Sequence, residues 1–153
     1  MIVVDTLSFG LTATAKQIED AVESGMAEAC TQLLRDAAYQ IPKVPRKSGR
    51  LIGSASVHVN GEFIVSSREV LGEYNGTPMV DDYPVRRKKD EVVGSVGFDT
   101  PYARRQHELP EYLNPTDPNS GPKFLESKMT ANAKQYWQII AKSIKEANAG
   151  GIP

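Results

Sequence analysis

Apolar positions recur at intervals of three and four near both ends of the chain. Ile18, Val22, Gly25, Ala29, Leu33 and Ala37 make one stripe, and Leu125, Met129, Ala133, Tyr136, Ile140, Ile144 and Ala147 make another. That period belongs to an amphipathic α-helix. It predicts a first helix over about Ala15–Tyr39 and a long last helix ended by Gly150-Gly151. Thr14 and Gln17 have capping-box spacing at the first start, and Pro42 and Pro45 stop that helix by removing donors and disfavouring helical geometry before them. The small residues Ala21, Gly25 and Ala29 leave room for another backbone. Asn119 or Ser120 stands as the cap of the last helix, with Pro122 in its first turn. Tyr136, and Trp137 on the flank of the stripe, read as core side chains.

Between the helices the period shortens. Leu51–Ser67 reads as a hairpin around Asn60-Gly61, a strong two-residue turn signal. A two-residue loop sets Val57 across from Ile64. A three-residue loop pairs Val57 with Val65 and Val59 with Phe63, which gives a cleaner apolar face. Glu91–Phe98 is a further strand, and Met1–Phe9 alternates weakly, as an edge strand or an arm. Arg68–Asp90 is polar, holds Asn75-Gly76, Pro78 and Pro84, and reads as a long loop with room for a short strand. Asp99 or Thr100 can cap a short helix opened by Pro101 and running to Glu108. Leu109–Pro122, with its prolines, is an extended loop. These elements predict an α+β fold: a long helix at each end, a small antiparallel sheet with a hairpin, and a short helix after the last strand.

Composition narrows the function classes. A chain of 153 residues, 40% hydrophobic and 24% charged, is expected to form a single domain over 1–153 with an extended polar loop at about 68–91. A net charge of −1 supplies no global field toward DNA or an anionic membrane. Cys30 is the one cysteine, which excludes an internal disulfide and an all-cysteine metal site, and suits synthesis in a reducing cytoplasm. No stretch reaches the ~20 apolar residues a spanning helix needs. The start, MIVVDTLSFG, lacks a basic region and carries Asp5, which reads against a signal peptide.

Little in the chain points to catalysis. His107-Glu108 is an acid–base pair by composition, yet adjacent helical residues diverge in direction and no nucleophile signature stands nearby. His58, His107 and Cys30 fit no zinc spacing. The expectation is therefore no catalytic, cofactor-binding or metal-ligating residue. The charged clusters read as protein contacts or as solvated surface. They are Arg86, Arg87, Lys88 and Lys89 in the long loop, Arg46, Lys47 and Arg50 before the sheet, and Tyr102, Arg104, Arg105, His107 and Glu108 on the short helix. Arginine suits bidentate pairing with carboxylates. Phosphate binding needs several cations acting together, and Asp81, Asp82, Asp90 and Glu91 flank the basic run. Phe124 lies off the main stripe, either under the Tyr102 helix or at an intersubunit contact.

Three passages in order, IPKVPRKSGRLIGSASV (41–57), VVGSVGFDTPYARRQHE (92–108) and GPKFLE (121–126), together resemble the tail-completion (neck, or minor capsid) proteins of tailed double-stranded DNA bacteriophages. Ser48-Gly49-Arg50-Leu51 holds the place of that family's T/S-G-x-L. Arg68–Glu91 departs from the family by being longer and more basic. The resemblance implies a structural virion protein at the tail–head junction. It would form a homo-oligomeric, commonly sixfold, ring that joins the tail tube or tail terminator to the head connector or stopper, with the genome passing through its channel and no membrane contact. A nucleic-acid-binding accessory module using Arg86–Lys89 and Arg104-Arg105 is the alternative reading, and a small hydrolase around His107 and Glu108 is a third.

Overall fold

The computed structural model describes residues 2–10, 16–45, 49–72, 74–88, 91–100 and 123–149. It is the expected α+β fold. The elements in chain order are β1 (Ile2–Gly10), α1 (Lys16–Tyr39), a single helical turn α2 (Arg50–Gly53), β2 (Ala55–Val59), β3 (Glu62–Ser66), α3 (Ser67–Leu71), β4 (Glu91–Phe98), α4 (Glu126–Ala131) and α5 (Ala133–Ala149). The four strands form one antiparallel sheet in the order β1-β4-β2-β3. Of the two readings for the first residues, the edge strand is the one the chain adopts. The short helix expected at Pro101–Glu108, the loop to Pro122 and the caps at Thr14, Asn119 and Ser120 lie outside the described residues.

The hairpin combines the two registers weighed from sequence. Asn60 and Gly61 take φ of 52° and 82°, the doubly positive pair that a two-residue turn with matching twist requires. Val59 then faces Glu62 and His58 faces Phe63. One step later the register shifts, and Val57 faces Val65. Ile64 is the extra residue, a bulge that keeps Val57 and Val65 opposed while the tight turn is kept. Leu51, assigned to this hairpin by its apolar character, belongs instead to α2, whose buried Leu51 and Ile52 reach the core.

One face of the sheet packs on α1. Val22, Met26, Ala29, Cys30 and Leu33 share a core with Ala55, Val57, Val59, Val92, Val96 and Phe98. Helix α1 is buried over a wider arc than its sequence stripe, because α5 packs on it as well. At the crossing, a Cβ on Gly25 would lie 2.9 Å from the Ile140 Cα, so glycine is what lets the two backbones meet. Ser143 there donates to the Ala21 carbonyl at 2.9 Å.

The predicted last helix is divided at Asn132. Its φ and ψ of −111° and 14° separate α4 from α5. The Asn132 amide donates to Gln40 Oε1 at 2.9 Å and, more weakly, to Asp36 Oδ2 at 3.4 Å. Tyr136 and Ile140 are buried as expected, but Trp137 is 40% exposed and is not a core residue.

The opposite face of the sheet is covered by the chain itself. In β2, Ser56 and His58 alternate with the core residues, and they too are fully buried. The segment 74–85 lies over this region as a strap. Tyr74 and Asn75 sit against Gly53, and Tyr83 and Val85 against Gly61. Arg68–Asp90, expected to be a long loop, instead begins in α3 and continues over 74–85 as this strap. Its polar composition obscured this because backbone groups and Tyr83 do the docking.

Candidate interaction surface

Three latches hold the strap over the sheet. The Tyr83 hydroxyl and Ser95 Oγ of β4 are 2.6 Å apart. Asp82 accepts from the Phe63 N–H at 2.9 Å, while the Tyr83 N–H donates to the Gly61 carbonyl at 2.8 Å. His58 Nε2 lies 3.0 Å from the Asp81 carbonyl, which fixes that nitrogen as the donor. The His58 ring is boxed by Tyr83 and Phe63, at centroid distances of 4.8 and 5.7 Å. Its Nδ1 is buried with no partner among the described residues. Burial is the largest influence on this imidazole and lowers its pKa, with the hydrogen bond to Asp81 and the Asp82 charge opposing. A neutral histidine suits this site. Protonation would place an unmatched N–H in an apolar box.

The strap carries the basic run to the hairpin end of the sheet. Arg86, Arg87 and Lys88 are exposed there, and Arg87 donates to the Glu91 carbonyl at 2.7 Å. Arg50 begins α2, where Gly76 closes on its carbonyl, at the other end of β2. Arg50 is therefore not brought to Arg86, Arg87 and Lys88. Arg46, Lys47, Lys89, Tyr102, Arg104, Arg105, His107 and Glu108 lie outside the described residues. Of the two readings for Phe124, the intersubunit contact does not hold: the side chain is fully buried and meets Phe98 edge-on, with ring centroids 5.4 Å apart. Its bulk fills the core and is not offered to a neighbour.

The passages that carry the family resemblance meet at the end of the sheet opposite the hairpin turn. Asp99 N–H donates to the Ser54 carbonyl and to Ser54 Oγ, at 3.2 and 3.1 Å. This ties the residues after Gly49-Arg50-Leu51 to the end of β4. Phe98 in turn supports Phe124 of the third passage. The first and third passages flank β4 there.

A groove of about 370 Å3 opens at the hairpin end, between α1 and β3. Asp20, Glu23 and Glu62 line it with Ala27, Ile64 and Arg87. Sequence reading missed it because Glu62 is far along the chain from Asp20 and Glu23 and the three share no motif.

Lys128, Asp36 and Tyr136 form a second, structural group of buried polar side chains. Lys128 donates to the carbonyls of Pro42 and Phe124, at 2.6 and 3.0 Å, and to Ser127 Oγ at 3.1 Å. Burial pulls its pKa down to about 8, against the attraction of Asp36. The Tyr136 hydroxyl donates to Asp36 at 2.7 Å and is pushed up, by burial first. Burial likewise raises the Cys30 thiol to about 12, which makes it unreactive. Among the described residues there is no group of three or more potential metal-ligating side chains, and no helix is long and apolar enough to cross a membrane. No family model, curated protein or solved structure matches the chain.

Proposed function

We propose that the chain is a structural subunit of the neck of a tailed double-stranded DNA bacteriophage. It would be made in the host cytoplasm and built into the virion at the tail–head junction. In this reading copies form a ring, commonly sixfold, between the tail tube or tail terminator and the head connector or stopper, and the genome passes through the channel. No residue is given a catalytic, cofactor or metal role.

The observation that carries the reading is the convergence of the resembling passages. They are separated in sequence, yet Ser54 meets Asp99 and Phe98 meets Phe124 at one end of the sheet. Residues that make a family pattern by packing together have a physical reason to occur together. The described parts of the three passages, at Ser54, Phe98-Asp99 and Phe124, are therefore joined in the fold as well as ordered along the chain. The nucleic-acid reading is less well supported, since exposed Asp81 and Asp82 on the same strap offset Arg86–Lys88.

The test is immunogold imaging of virions from cells that carry the gene, with antibody raised against the chain. Label at the head–tail joint is expected. Intact virions that contain the chain but label only on capsid faces or tail fibres would overturn the reading.

A further inference from the structure

Charge is unevenly matched along the hairpin end of the molecule. In the groove between α1 and β3, three carboxylates, Asp20, Glu23 and Glu62, share the space with one guanidinium, Arg87. Arg87 is already engaged with the Glu91 carbonyl. Glu23 accepts only a long bond of 3.3 Å from Asn60. The Asp20 and Glu62 carboxylates have no hydrogen bond or ion pair among the described residues, and neither do the exposed side chains of Arg86 and Lys88 beside Arg87. Arg86 and Lys88 flank Arg87 in the chain, so unmatched cations stand within one residue of the groove that holds the unmatched anions. Ile64, set out of the ladder by the bulge, adds an apolar spot that is 37% exposed inside the groove.

We infer that this edge is a contact surface for a second copy of the chain, with Arg86 and Lys88 of each copy entering the acidic groove of the other. Complementary patches lying side by side favour a two-fold contact, in which a single geometry uses each patch twice. The methylene stems of the entering Arg and Lys suit Ile64 and Ala27, while their charged ends meet Asp20, Glu23 and Glu62. Arg87 stays with its own chain and holds the strap end in place. A surface of exposed charges gives a weak contact that salt opposes. The inference goes beyond the ring reading and does not depend on it.

Sedimentation of the purified full chain tests this at about 0.01 M and about 1 M salt, between which the screening length falls from about 30 to about 3 Å. A dimer at low salt that dissociates at high salt is expected. Two double variants follow, Arg86→Glu with Lys88→Glu, and Asp20→Lys with Glu62→Lys. All four positions are exposed, so melting curves should match the parent. Each variant alone should associate at least about a hundredfold more weakly, since like charges then face each other. Mixed in equal amounts the two should pair again, because both halves of the two-fold contact become complementary. A parent chain monomeric at both salts, or reversals that leave association unchanged, would overturn the inference. A larger ring that ignores the reversals sinks this contact and leaves the neck reading standing. Salt-sensitive dimers with no label at the head–tail joint would do the opposite.

Discussion

Lys128 and His58 are each buried at the point where one piece of backbone meets another. Lys128 joins the Ile41-Pro42 turn after α1 to the start of α4 by donating to a carbonyl on each. Its folded pKa of about 8 is below the ordinary lysine value of 10.5. Between those values the unfolded chain holds a proton that the folded chain has released, so stability from this group rises with pH across that window. Lys128→Met should flatten the rise between about pH 8 and 10 relative to the parent in urea titrations. His58 also has a lowered pKa. The unfolded chain is protonated below about pH 6.5 while the folded ring resists it, so stability is lost as pH falls from there. His58→Gln keeps a donor for the Asp81 carbonyl and cannot titrate. Its melting temperature should fall less than the parent's between pH 7 and pH 5, and an equal fall would remove His58 as the acid-sensitive group.

At the scale of elements, the strap and the helix crossing carry the packing that is least obvious from composition. Tyr83 is the strap's aromatic anchor, bound to Ser95 by its hydroxyl and tilted against the His58 ring. Tyr83→Ala should free the strap and speed tryptic cleavage at Arg86, Arg87 and Lys88. Mass spectrometry of the first fragments checks this. The crossing of α1 and α5 rests on Gly25 and Ile140. Ile140→Ala leaves a cavity where the helices meet and should cost about 2–5 kcal/mol. Gly25→Val adds bulk where no space exists and should cost about 1–3 kcal/mol through displaced helices. Urea midpoints measure both, and values equal to the parent would misplace the crossing.

Over the whole molecule, β2 and β4 are buried between helices on one face and the strap on the other, while Glu62 and Ile64 of β3 and Trp137 are exposed. The α+β class, α1 to within a residue, β4, the turn at Asn60-Gly61 and the Tyr136–Ile140 core follow from periodicity and turn chemistry, which act over a few neighbouring residues and can be read in order along the chain. Their locality is why the sequence alone suffices for them. The division of the last helix at Asn132, the burial of Phe124, the exposure of Trp137 and the role of the strap were not legible. Each depends on a partner far along the chain: Gln40 for Asn132, Phe98 for Phe124, Ser95 and Gly61 for Tyr83. The groove is the same case, since Asp20 and Glu62 become neighbours only when the bulged hairpin is laid beside α1. The sequence by itself determined α1, the Asn60-Gly61 turn and β4, because hydrophobic period and backbone preference are local, whereas the short helices α2 and α3 carry too few residues to show a period. Tertiary structure alone decided which polar residues are buried, which aromatic is exposed and where unmatched charges gather, because those depend on what a side chain meets after the chain has closed on itself.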